Sequence, residues 1–155
     1  MRKQTCCFTG HRKIPPQEQE AITRKLENII DRLYQRGVQY YGAGGALGFD
    51  TIASRAVLAM REKYPNIKLI LVLPCLTQTR GWILEDIVEY ERIKAQADKI
   101  VYTAKEYTRG CMHKRNRHLV NNSSVCICYL KESFGGTAYT VRYAKEQGLE
   151  IINIV

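Results

Sequence analysis

The chain has 155 residues, enough for one domain with a single well-developed core and too few for two ordinary ones. Its 24 Lys and Arg against 15 Asp and Glu leave a net charge of +9, with an isoelectric point near 9.3, which favours anionic partners such as nucleotides or nucleic acid. No stretch approaches the roughly 18 to 20 continuous apolar residues of a transmembrane helix. Gly10-His11-Arg12-Lys13 also interrupts the start before a signal-peptide core forms, so the expected setting is the cytoplasm, without a membrane partner.

The first strand is expected at Cys6-Cys7-Phe8-Thr9, ending in Thr9-Gly10-His11-Arg12. Pro15-Pro16 then precedes a helix with Ile22, Leu26, Ile29, Ile30 and Leu33 on one face and Gly37 as its stop. Val38 to Tyr41 reads as the second strand, and the turn Gly42-Ala43-Gly44-Gly45-Ala46-Leu47-Gly48-Phe49-Asp50 follows it directly. The next helix, Phe49 to Glu62, carries Ile52, Ala53, Ala56, Val57 and Met60 inward. Ile67 to Leu73 is the plainest buried strand, closed by Pro74. A loop from Cys75 to Gly81 leads into a helix from Trp82 to Gln96 with Ile83, Ile87, Tyr90 and Ile93 at helical spacing.

Lys99 to Tyr102 makes a fourth strand, and a helix opens at Met112 with Leu119 and Val120 as its apolar positions. Val125 to Leu130 is a continuous apolar run, the pattern of a strand covered on both faces. Ser133-Phe134-Gly135-Gly136-Thr137 separates it from a helix over Ala138 to Gln147, and Glu150 to Val155 is the last strand. Strand and helix alternate with short connections, which predicts an α/β, Rossmann-like three-layer sandwich around a mostly parallel sheet of about six strands.

In such sheets ligands bind outside the carboxyl ends of the strands, near the switch in strand order. Three turns at that edge are unusual and are expected to converge on one cleft: Thr9-Gly10-His11-Arg12, Gly42 to Asp50, and Phe134-Gly135-Gly136-Thr137. Glycines there let a backbone approach a ligand closely, while the following helix supplies unpaired N–H groups and partial positive charge, which suits a phosphate. Gly42-x-Gly44-Gly45-x-x-Gly48 has the strand-to-helix context of a dinucleotide turn, but its last glycine comes one residue late for G-x-G-x-x-G. It also lacks the Lys-Ser/Thr of a P-loop. Asp50 is expected either to cap the helix start or to bind a ribose hydroxyl or act as a base. Arg12, Arg115 and Arg117 are candidate phosphate ligands, and Asn116 and Ser123 candidates for ribose or base. Trp82 is placed to stack on a base or to pack as a core or lid contact, with Gln78 one turn before it.

Cys6-Cys7 and Cys126-x-Cys128 lie in apolar runs without any C-x-x-C, which reads as core packing in a reducing compartment. Cys75 and Cys111 fall in predicted loops, where a thiol would be open to reaction. His11, His113 and His118 lack metal-ligand spacing, so no metal is expected.

Thr9-Gly10-His11-Arg12, Gly44-Gly45-Ala46-Leu47-Gly48-Phe49-Asp50, Gln78-x-x-x-Trp82, Arg115-Asn116 and Gly135-Gly136-Thr137, in this order, resemble the YpsA family of the SLOG superfamily, which also holds the Smf/DprA and LOG proteins. The resemblance spans essentially the whole chain. It implies one Rossmann-like domain over residues 1–155 and a nucleotide-type ligand, held by Gly10, His11, Arg12, Gly44, Gly45, Gly48, Asp50, Gln78, Trp82, Arg115, Asn116, Gly135, Gly136 and Thr137. NAD, ADP-ribose or a nucleoside monophosphate would fit that description, and homo-oligomers are common among such relatives.

LOG-type phosphoribohydrolases use an arginine in Met-His-x-Arg-Lys and a glutamate in Gly-Gly-x-Gly-Thr-x-x-Glu. Met112-His113-Lys114-Arg115-Asn116 matches the first, with asparagine for lysine, but the second lacks a glycine and puts Thr140 where the glutamate stands. Cleaving an N-glycosidic bond develops positive charge that a carboxylate stabilises and a threonine does not. DprA-type proteins carry an Arg-Asn-Arg segment, matched by Arg115-Asn116-Arg117, which adds single-stranded nucleic acid as a less favoured partner. The leading expectation is a nucleotide-binding protein or sensor, with the catalytic residues of any reaction unassigned.

Overall fold

Across residues 1–155 a computed structural model alternates β1 (Thr5–Gly10), α1 (Gln19–Gln35), β2 (Tyr40–Ala43), α2 (Phe49–Lys63), β3 (Lys68–Leu73), α3 (Leu84–Gln96), β4 (Lys99–Tyr102), α4 (Cys111–Asn121), β5 (Val125–Tyr129), α5 (Gly136–Glu146) and β6 (Glu150–Asn153). The strands form one sheet in the order β4-β3-β2-β1-β5-β6, every pair parallel. Right-handed crossovers explain how the helices divide. Three successive steps in one direction from β1 put α1, α2 and α3 on one face. The return from β4 to β5, over β3, β2 and β1, puts α4 and then α5 on the other. The switch in direction lies between β1 and β5, paired from Cys6↔Val125 to Gly10↔Tyr129.

Side-chain alternation then builds two cores. Cys6, Phe8, Tyr41, Leu69, Leu71, Ile127 and Tyr129 pack with Ile22, Leu26, Ile29, Ile30 and Leu33 of α1 and with the inner face of α2. The intervening positions Cys7, Val72, Cys126 and Cys128 meet Leu119 and Val120 of α4 and Val141 and Ala144 of α5. Small cysteines there suit two helices lying close over the middle of the sheet. All six cysteines are free and buried, Cys75 and Cys111 included, so neither of those two is the accessible thiol that a loop position suggested.

Several boundaries shift for identifiable reasons. Gly37 ends α1 with φ +98, its N–H bonding Tyr34 O, while the N–H of Val38 reaches back 2.9 Å to Leu33 O. This double bond pattern closes the helix and takes Val38 out of β2, which starts at Tyr40. Trp82 lies in a turn before α3, after Gly81 with φ +85, rather than at its first position. Of the expected inner face of α3 only Ile93 is buried, and Ile83 is exposed. Gly135, with φ +94, lets α5 start two residues earlier than expected, at Gly136. No helix is long and apolar enough to cross a membrane.

Candidate functional site

At the carboxyl edge of the sheet, beside the β1/β5 switch, the end of β1, the turn before α2, the first turns of α4 and the loop between β5 and α5 enclose a cleft of about 370 Å³. This is where strand-order reversal leaves two neighbouring connections heading to opposite faces, so that no helix covers the gap. Arg115 lines the cleft although it is only 4 % exposed. Its Nη1 donates to Gly44 O, its Nε donates to Asn116 Oδ1 at 2.6 Å, and its Nη2 meets only the thioether of Met112 at 3.8 Å. A guanidinium carries five donors, so this buried cation keeps N–H groups without an oxygen acceptor.

Asp50, 6 % exposed, lines the same cleft. It is not a helix cap: Oδ2 accepts from the N–H of Ala46 at 3.2 Å, pinning the turn that precedes α2. Burial pushes its carboxyl above the usual range, against the opposing pull of Arg115, the Ala46 N–H and Arg12. Burial likewise lowers the Arg115 pKa against the pull of Asp50. Arg115 stays charged, because guanidinium does not lose its proton in proteins. The two face each other as a buried pair without a direct salt bridge.

The two glycine turns differ. In the turn before α2 the space above each glycine is already taken. A Cβ on Gly44 would stand 2.5 Å from Arg115 Nη1, one on Gly45 would stand 2.6 Å from Leu73 Cδ2, and one on Gly48 would stand 2.1 Å from Arg12 O. With the Ala46 N–H held by Asp50, this turn serves packing and seats Arg115. Gly10 likewise makes room for the ring of Phe49, 2.4 Å from where its Cβ would be. Gly136 is the opposite case. No atom lies within 4 Å of a Cβ built on it, and α5 begins there with no side-chain cap and no acidic residue in its first turn. Its leading N–H groups open on the cleft beside Arg115.

The remaining expected residues separate along the same line. His11, Arg12, Asn116, Gly135 and Thr137 line the cleft. His11 Nε2 accepts the N–H of Lys131 at 2.9 Å, which ties the end of β1 to that of β5. Gln78 does not reach the cleft. It is buried as a bridge, donating to Gly44 O at 3.1 Å and accepting from Tyr90 OH at 3.1 Å. Trp82 packs edge-on against Tyr90, ring centroids 5.5 Å apart, and lines a separate small pocket with Gly45. Arg117 donates to Tyr139 OH at 3.2 Å and does not line the cleft, and Ser123 lies far from it, bonded to Leu119 O.

Sequence reasoning missed Phe8, Met112 and Glu132 as lining residues. Thr9, Ala46 and Phe134 also line it and belong to the turns expected to converge there, whereas Phe8 and Met112 each lie within three residues of a predicted site residue, and that adjacency was the available signal. Thr140, at the position where a carboxylate would serve N-glycosidic cleavage, is buried: it accepts from Asn116 Nδ2 at 3.0 Å and donates to Gly136 O at 2.9 Å. It joins α4 to α5 and brings no charge to the cleft, whose lining carboxylates are Asp50 and Glu132.

A profile of the YspA SLOG family matches residues 7–151. The SPbeta prophage-derived protein YoqJ of Bacillus subtilis (strain 168) is 28 % identical over 135 residues, 79 % of each chain. A UPF0398 protein of Bacillus thuringiensis (strain Al Hakam) is 28 % identical over 132 residues, 83 % of this chain and 72 % of the relative. Among solved structures, DNA processing protein A from Helicobacter pylori superposes with a TM-score of 0.69 at 21 % identity over 97 % of this chain. DprA from Streptococcus pneumoniae does so with 0.67 at 16 % over 96 %. This chain spans 64 % and 49 % of those two chains, respectively, and the likeness to them is one of fold.

Proposed function

The chain belongs to the YspA SLOG family, and from that membership and the chemistry of the cleft we propose that it binds a nucleotide-type small molecule, a nucleoside monophosphate or an ADP-ribose- or NAD-like derivative. The observation that carries this is the meeting, at one place, of two donor groups that lack an oxygen acceptor. The Nη2 of buried Arg115, with no oxygen acceptor, and the uncapped start of α5 at bare Gly136 face the same cleft. A phosphate accepts from both at once, the helix end through its backbone N–H groups and Arg115 through a charge-assisted bond. Asn116 holds the guanidinium in that orientation through Nε, and is itself held by Thr140. A volume of about 370 Å³ lies at the small end of ligand pockets and suits a mononucleotide-sized group.

Thermal unfolding and calorimetry with nucleoside monophosphates, ADP-ribose and NAD test the proposal. A ligand at 100 times its Kd stabilises by about 2.7 kcal/mol, which shifts Tm by roughly 5–10 °C for a chain of this size. A Cβ at Gly136 meets no neighbouring atom within 4 Å, so Gly136→Val places its branched side chain from that open position. It is expected to unfold like the wild type and to bind at least about tenfold more weakly. Stabilisation by none of these ligands, or unchanged binding by Gly136→Val, overturns the proposal.

Single-stranded nucleic acid is a second reading, favoured by the net charge of +9 and by the fold likeness to a protein described by its single-stranded DNA binding mode. Arg115-Asn116-Arg117 would not act as a unit in it, since Arg117 points to Tyr139 while Arg115 faces the cleft. Counterion release predicts affinity that falls steeply with salt, and no complex with an oligonucleotide at low salt would exclude it.

A further inference from the structure

Several large apolar side chains are exposed on this molecule, and only Phe134, 70 % exposed, lines the cleft. We propose that Phe134 is the stacking platform for the ligand's ring, so that the cleft selects a phosphate carrying an aromatic base over a bare sugar phosphate. This rests on the reading that the cleft holds a nucleotide-type phosphate.

Phe134 precedes Gly135, whose φ of +94 turns the chain sharply into α5. The aromatic ring therefore sits one residue before the N–H groups assigned to the phosphate, on the solvent side of the same cleft. An exposed phenyl ring leaves its faces in water, and apposition of a flat base removes both surfaces from water while matching ring to ring. Met112, from α4, supplies a second apolar surface to the cleft, and a thioether packs well against aromatic rings. The other apolar lining residues, Phe8 and Ala46, are buried, so the apolar part of a ligand finds its accessible partners at Phe134 and Met112. Trp82, which the sequence offers for stacking or for a core or lid contact, is engaged edge-on with Tyr90 outside the cleft.

The test compares ribose 5-phosphate with adenosine monophosphate by calorimetry on wild type, Phe134→Ala and Phe134→Trp. Base-on-aromatic stacking corresponds to about tenfold in affinity or more. Wild type is expected to prefer the nucleotide by at least that factor. Phe134→Ala is expected to lose about tenfold for the nucleotide and nothing for ribose 5-phosphate, and Phe134→Trp to keep the preference. The nucleotide should also quench the fluorescence of the introduced indole. Because Phe134 is solvent-exposed, both variants keep the fold, which the unfolding midpoint checks. Competition by a short single-stranded oligodeoxyadenylate shows whether the base comes from a free nucleotide or a strand, and Phe134→Ala should weaken either. Equal affinity of wild type for the two small ligands, or an undiminished preference in Phe134→Ala, overturns the stacking role alone. Failure of wild type to bind either overturns it together with the phosphate site.

Discussion

Replacing Gly44 by alanine is expected to dislodge an arginine that lies 71 residues further along the chain. Gly44 does not occupy the left-handed region, so alanine meets no backbone penalty and the effect is one of space. Its Cβ would stand 2.5, 2.6 and 2.9 Å from Nη1, Cζ and Nε of Arg115, all closer than real Cβ contacts. The guanidinium must withdraw, giving up its bonds to Gly44 O and Asn116 Oδ1. A hydrogen bond to a charged group contributes about 1.5–3 kcal/mol and overpacking costs about 1–3 kcal/mol. Withdrawal relieves part of the clash, so the two are not summed, and the net loss is about 2–4 kcal/mol. That lowers Tm by roughly 5–15 °C for a chain of this length.

Arg115→Leu vacates the contested space, so that adding Gly44→Ala on that background should cost less than about 1 kcal/mol. Urea unfolding of wild type, the two single variants and the double variant closes the cycle, provided the m-values agree. A coupling below about 0.5 kcal/mol, with Gly44→Ala equally costly in both backgrounds, would show that Gly44 and Arg115 are not packed as described.

Gly48→Ala should be harsher, because φ is +76 and its Cβ would stand 2.1 Å from Arg12 O, a backbone atom that cannot swing aside; a loss of at least about 3 kcal/mol is expected, and a variant within 1 kcal/mol of wild type by urea unfolding would contradict it. Asp50 has a folded pKa above its unfolded value of about 3.9, so the folded state takes up its proton first and Asp50 favours folding increasingly as pH falls through the folded value. Glu89 and Glu150 do the opposite, being held low by Arg55 and Arg36, and their contribution is lost on acidification. Stability of wild type relative to Asp50→Asn should therefore rise as pH falls toward the unfolded value of about 3.9, and a constant difference in urea midpoint would refute the assignment. The six buried thiols should resist a thiol-specific reagent in the native protein and all react in guanidinium; prompt labelling of Cys75 or Cys111 in the native state would show an opening of the fold there.

Local pattern determined the elements and their inner faces. The five apolar positions of α1 and the five of α2 are buried as their helical spacing requires, since periodicity on a helix is decided within a few turns. Alternation of strands and helices with short connections likewise required a parallel sheet covered on both sides. What the sequence left undecided was which glycine turn is open and which aromatic is free. Gly44 and Gly136 both precede or begin a helix after a strand, yet one is filled by Arg115 and the other faces empty space. Trp82 and Phe134 both follow strands, yet one is covered by Tyr90 and the other is bare. The crossover from β4 back over the sheet, which carries α4 and Arg115 onto the end of β2, separates the two glycines, and the packing of Tyr90 of α3 against Trp82 separates the two aromatics. A residue's neighbours in space are set by where distant segments return, and no local spacing carries that information.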